Sequence, residues 1–253
     1  MLENAKMGEL SEELEQSLTF LNEAINYKKE LNGGNENDQY IHLSRMIRGV
    51  VKALKGNYTE QVKEHEEVFK FFSGIKEYRR QIYTAYYLLH FGWDKAGWQE
   101  RYTNEFDEYE IYFTEWNEFN DILEGDVKYA IIKAVFALRK AVRLQFNKAN
   151  EQDARKKYED LVAILKNKNG ESHNQYLDDG TVAVSAVLDY ALYLDDTIAH
   201  KKNKEKITLL KEVISFASDL LTIKNTSNWE HMKVIYHRAN ELEHLAEKHD
   251  VQL

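Results

Sequence analysis

No proline occurs anywhere in these 253 residues, and that absence limits the fold more than any motif does. Sandwiches and linkers commonly use proline in turns and at edges, whereas helices need it kept out of their interiors. What remains is helix joined by short Gly/Asn turns. The apolar residues agree, recurring in steps of three and four rather than in alternation.

Read in order, the first helix is expected from Ser11, as N-cap, to about Leu31, with Leu14, Leu18, Leu21 and Ile25 facing inward. Asn32-Gly33-Gly34-Asn35 ends it. The second carries Tyr40, Leu43, Ile47, Val50 and Leu54 in strict three-four steps, and Lys55-Gly56-Asn57 makes the next turn. A third carries Val62, Phe69 and Phe72; a fourth carries Ile75, Tyr78, Ile82, Tyr86 and Leu89 as far as Gly92. In the second half, helices are expected over about 151–166 (Ala154, Tyr158, Leu161, Leu165), 181–200, 205–223 and 228–249. Residues 167–180 are the longest polar loop.

This pattern gives an all-α chain of about ten antiparallel helices, arranged as a multi-helix bundle or an irregular array of helical hairpins. Gly92 and Gly97 flank Trp93 and Asp94 and mark the expected boundary. It separates an N-terminal subdomain, 1–92, from a C-terminal one, 98–253, unless the chain forms one continuous domain. Gly92, Gly97, Gly125 and Gly180 read as helix-ending turns.

The C-terminal subdomain is built on an expected hairpin over 98–147, bent at Gly125. Its first arm sets Trp98, Tyr102, Phe106, Tyr109, Phe113, Trp116 and Leu123 on one face, among ten acids and one base. Its second arm sets Val127, Ala130, Ile131, Ala134, Val135, Ala137, Leu138, Ala141 and Val142 on one arc. Lys128, Lys133, Arg139, Lys140 and Arg143 take the opposite arc. Rings against alanines allow close approach, and the opposed charges attract.

Composition narrows the function classes. Apolar residues at 43% and charged residues at 30% describe a globular chain. A net charge of −9 disfavours nucleic acid as the general partner. Without cysteine there is no disulfide framework, thiol nucleophile or cysteine-bound zinc. The first residues hold no apolar signal core, and no long apolar run exists, so a cytoplasmic protein with no membrane association is expected. Phosphate loops, dinucleotide glycine fingerprints and a Gly-x-Ser-x-Gly elbow are absent.

Several short stretches carry resemblances. Gly56-Asn57-Tyr58-Thr59-Glu60 resembles the turn and second-helix start of a tetratricopeptide repeat, although Gln61 follows where that repeat uses a small residue, and no fixed period recurs. Arg238 and His244, five residues between them, resemble the arginine–histidine motif of HEPN ribonucleases. That resemblance implies phosphate positioning by Arg238 and acid–base work by His244 without a metal. Ala239 departs from it, since the family has a polar residue after the arginine.

Glu241-Leu242-Glu243-His244 matches the Glu-x-x-His element of carboxylate-bridged di-metal bundles. Here Glu241 and His244 lie opposite the apolar stripe Met232, Ile235, Ala239, Leu242 and Ala246, and no second such element exists. No metal and no cofactor are therefore expected. Asp195-Asp196 resembles the acidic magnesium motif of class I terpene synthases, without its companion motif. Asp195 also falls on the inward stripe Val184, Leu188, Ala191, Asp195 and Ile198, so it is expected to be a buried carboxylate paired with a base from a neighbouring helix.

With no assembled catalytic set, the expectation is a non-enzymatic protein-binding helical protein of the inhibitor, immunity or adaptor type. It would act on another, basic protein through an acidic aromatic surface that includes Glu108, Glu110, Glu115 and Glu118. The alternatives are the ribonuclease using Arg238 and His244, and a helical-repeat scaffold whose peptide groove is lined by Tyr78, Tyr86 and Trp93.

Overall fold

Helix is the only regular structure among the described residues, which form nine helices and no strand. The computed structural model describes residues 2–95, 127–146, 151–166, 177–200, 204–222 and 238–253. The chain divides into two compact units, Met1–Glu124 and Gly125–Leu253. The aromatic arm of the expected hairpin, with Trp98, Tyr102, Phe106 and Trp116, lies outside the described residues.

The first unit contains α1 (Leu2–Leu31), α2 (Gln39–Leu54), α3 (Tyr58–Gly74) and α4 (Tyr78–Lys95). Each packs mainly on its neighbour in the chain, α1 on α2, α2 on α3 and α3 on α4. The turns explain the antiparallel order. Gly56 has φ +78°, its N–H bonds to Ala53 O, and Asn57 N–H reaches back to Lys52 O. The next turn repeats those bonds at Lys76 and Glu77, with Lys76 at φ +57°. Both helices thus end in the same left-handed cap, where glycine is at ease and lysine is strained.

Caps also set the helix starts. Asp38 accepts hydrogen bonds from the N–H groups of Tyr40 and Ile41, and Asn57 accepts one from Glu60 N–H. Ser11, expected as an N-cap, lies inside α1, because the helix begins at Leu2. Gly92 is likewise inside α4 and ends nothing, since the helix continues to Lys95.

The face that α2 buries is the main departure from its periodicity. Ile41, His42, Gly49, Val51 and Ala53 are buried, while Tyr40, Ile47 and Leu54 of the three-four stripe are exposed. Polar and steric fit decide the roll. Arg48 and Lys52 reach Glu64 of α3, and Gly49 sits where an added Cβ would come within 2.7 Å of the His65 ring. Only a bare backbone lets that imidazole in.

The second unit contains α5 (Val127–Phe146), α6 (Glu151–Lys166), α7 (Leu177–His200), α8 (Lys204–Thr222) and α9 (Ala239–Lys248). α5 packs on α6 and α7, α7 on α8, and α8 on α9. Every residue from Ala183 to Ala191 is buried, so α7 has no wet face over that stretch and forms the centre of the unit. Gly180 belongs to this helix rather than to a turn. Ala154, Tyr158, Leu161 and Leu165 of α6 are buried as their spacing requires.

On α5 the buried face is rolled from the expected arc: Ile131, Val135, Leu138, Ala141 and Val142 are buried together with Tyr129, Ile132, Phe136 and Arg139, while Ala130, Ala134 and Ala137 are only half-buried. Arg139, expected on the arc opposite the apolar one, is 2% exposed. A buried carboxylate on α7 draws it inward.

Candidate functional site

The most unusual surface lies on the first unit. Phe20, Tyr27 and Leu31 of α1 are 66%, 62% and 61% exposed, and Tyr40, Ile47 and Leu54 of α2 are 55%, 52% and 51% exposed. Each set steps by seven or four residues, the spacing of a seam that another helix fills. The helices beneath are held in antiparallel register: Glu15 pairs with Lys55, Arg48 donates to Asn22 Oδ1 at 2.7 Å, and the Lys28 ammonium sits 4.9 Å above the Tyr40 ring. Covering one such side chain contributes about 1.5–3 kcal/mol. Left open, this seam favours association.

The charges around it are unequal. The bases of α2 are engaged, with Arg45 on Glu36 and Glu67, Arg48 and Lys52 on Glu64, and Lys55 on Glu15. Lys29 is held by Glu36. Glu12, Glu13, Glu23 and Glu30 of α1 are exposed and, among the described residues, enter no ion pair. Against these four acids stands Lys28, held over the Tyr40 ring and, among the described residues, in no ion pair. Acids therefore outnumber bases beside Phe20 and Tyr27, and the net field there is negative.

Below this surface a polar seam joins α2, α3 and α4. Glu64 is almost fully buried, with Arg48 Nε 3.0 Å from both carboxylate oxygens and Lys52 Nζ at 3.0 Å. Burial alone would raise its pKa, but these two cations outweigh burial and hold it below the usual carboxylate value. His65 is wholly enclosed: Gln61 Nε2 donates to its Nδ1 at 2.7 Å, and its Nε2–H donates to Met46 O at 3.0 Å. That arrangement suits the neutral ring, and burial pulls its pKa down from 6.5 to about 4. Tyr87 stacks on it at 5.5 Å. This network orders the helices; His65 is closed off from solvent, while Arg48 and Lys52 reach it only in part.

The second unit places the other candidate residues. Asp195, read from its spacing as a buried carboxylate, is only partly buried, and it lies against bases at another helix end: Lys248 Nζ at 2.8 Å and His249 Nε2 at 2.7 Å. These bonds hold its pKa low against the opposing effect of burial. The deeply buried carboxylate is instead Asp189, nearly two turns earlier, which the apolar spacing did not single out. Its Oδ1 lies 2.9 Å from Arg238 Nη2 and its Oδ2 lies 3.2 Å from Arg139 Nε. Arg238 also bonds Glu241 at 2.8 Å and Ser185 O at 3.4 Å. Since Arg238 meets Ser185 and Asp189 while Lys248 and His249 meet Asp195, α9 runs beside α7 in the same direction.

Arg238 and His244 are not brought together in the chain. Arg238 is 3% exposed and committed to carboxylates, whereas His244 is exposed on α9. A guanidinium so enclosed has no path to a phosphate. Ala239, Leu242 and Ala246 are buried and Glu241 and His244 exposed, in keeping with the helical stripe. Among the described residues, no three His, Asp or Glu side chains converge as a metal site needs. Tyr86 is 2% exposed and so lines no open groove, whereas Tyr78 is exposed. Glu108, Glu110, Glu115 and Glu118 lie outside the described residues, and no helix among those described is long and apolar enough to cross a membrane.

The sequence did carry a signal for the surface it left unassigned. Phe20, Tyr27 and Leu31 fall some 110–150° round α1 from the inward stripe of Leu14, Leu18, Leu21 and Ile25, at about 100° per residue. Two apolar stripes on one helix call for two neighbours. No protein-family model matches this chain, and no curated protein or solved structure matches it significantly.

Proposed function

We propose that this chain is a non-enzymatic protein-binding protein of the inhibitor, immunity or adaptor type, acting through an acidic aromatic surface. One observation carries the reading: the large apolar residues exposed on the described part of the molecule all lie in the first unit, and six of them form helical seams on α1 and α2. Helical stripes of large apolar side chains left open in this way commonly mark a surface used for association. The consecutive hairpins of α1 to α4 support a tetratricopeptide-like arrangement, a scaffold suited to holding a partner. The fixed polar seam behind α2 keeps the docking residues in register at little entropic cost on binding.

The test is site-specific photo-crosslinking in the native cell, with the reactive group at Tyr27 or Ile47 and, as a control, at exposed Lys70 of α3. A discrete protein adduct at the first two positions and none at Lys70 is expected. Equal, diffuse labelling at all three would remove the reading.

A further inference from the structure

We infer that the outer face of α1 receives a basic amphipathic helix from a partner protein; this rests on the protein-binding reading above and names the kind of partner. The face is built from Phe20, Ala24, Tyr27 and Leu31, all exposed and separated by four, three and four residues. That is the spacing of side chains that interlock with one facing helix over three turns. Among the described elements, α2 and α3 each pack closely on a helix at either side, whereas α1 packs closely on α2 and on no second helix. The outermost helix of such an array needs either a polar outer face or a further neighbour. α1 has an apolar one.

Charge selects the neighbour. Glu12, Glu13, Glu23 and Glu30 border the stripe without an ion pair, and the bases of the adjacent helix are already engaged. A second copy of the chain, docked face to face, would set these four carboxylates against their own duplicates with only Lys28, which sits over the Tyr40 ring, to offset them. A helix with lysines or arginines flanking its apolar seam meets them with opposite charge. Rim charges of this kind act mainly on the encounter rate and on discrimination between partners.

The experiment uses the full chain and two labelled three-heptad peptides with the same leucine seam, one flanked by lysine and one by glutamate, read by fluorescence anisotropy. The lysine peptide is expected to bind at least about tenfold tighter, and its affinity should fall as salt rises from about 50 to about 300 mM. Tyr27→Ser with Leu31→Ser should abolish binding of both peptides, with an unchanged far-ultraviolet circular dichroism spectrum as the control for folding. Glu12→Gln, Glu23→Gln and Glu30→Gln together should bring the two affinities close to parity. Equal binding of the two peptides to the native chain, or a lysine preference that survives the triple change, overturns the inference and leaves the docking reading standing. So does a dimer, seen by sedimentation, that Tyr27→Ser dissolves. A monomer that binds neither peptide overturns both.

Discussion

The two units treat polar and apolar residues in opposite ways. The first encloses His42, Gln61, Glu64, His65, Gln81, Thr84 and His90 between its helices and leaves Phe20, Tyr27, Leu31, Tyr40, Ile47 and Leu54 outside. The second wraps its helices around the small apolar residues of α7, admits one deep charge cluster, and exposes no large apolar side chain among its described residues. A unit that seals its apolar residues is built for its own stability. One that uses hydrogen bonds at its seams and displays its rings is the unit on which the proposed docking rests, and its enclosed His65 makes it respond to pH in the range between about 6.5 and 4.

The largest effect that sharpens this contrast is expected at Asp189. Asp189→Ala leaves the guanidiniums of Arg139 and Arg238 enclosed without their shared carboxylate. Breaking such a pair costs about 3–5 kcal/mol. Hydrogen exchange read by peptide should show lost protection across α5, α7 and α9, with α2 and α3 unaffected. Equal loss in α2 and α3 would break the comparison.

Next in size is the acid response of the first unit. His65 has its folded pKa depressed from 6.5 to about 4, so the unfolded chain takes up the proton first as pH falls. Its stabilising effect is complete above about pH 6.5, declines through the interval down to about 4, and is then lost, a total of about 3 kcal/mol. Denaturant midpoints followed at α2 and α3 from pH 7 to 4 should show this slope, and His65→Gln should flatten it. A slope that persists in the variant assigns it to other groups, with His42 the first to examine, since burial lowers its pKa as well.

Gly49→Ala tests the same seam sterically. The new methyl would start 2.7 Å from the His65 ring, whose two nitrogens are both bonded and resist moving. A cost of about 1–3 kcal/mol is expected from overpacking, measured by thermal unfolding. Smaller still, and of opposite sign, Lys76→Gly should raise stability by up to about 1 kcal/mol by relieving its left-handed backbone, φ +57°. No gain would mean that the Lys76 side chain makes a compensating contact.

How far the sequence spoke differs between the units as well. Its proline-free, three-four grammar sufficed for the all-helical fold and for the burial of α6. On α7 it pointed to Asp195 as the buried carboxylate, while the deeply buried one is Asp189. It misled on α2, because an apolar stripe reports that some surface will be covered and not which molecule covers it. It misled on Arg139 for a related reason: a lone arginine on a helix reads as solvated until Asp189 and Arg238, fifty and ninety-nine residues away, are seen beside it. Positions such as Gly49 and His65 carry no periodic signal at all, since each is intelligible only as the other's neighbour.

The most direct test of this account is the unfolding free energy of Tyr27→Ser with Ile47→Ser, taken from urea denaturation at pH 7. If these side chains form an outward docking surface, the double variant should match the native chain within about 0.5 kcal/mol. If they form the core that their spacing suggests, the loss should be at least about 4 kcal/mol, and a loss of that size would contradict the outward-facing seam on which the proposed function rests.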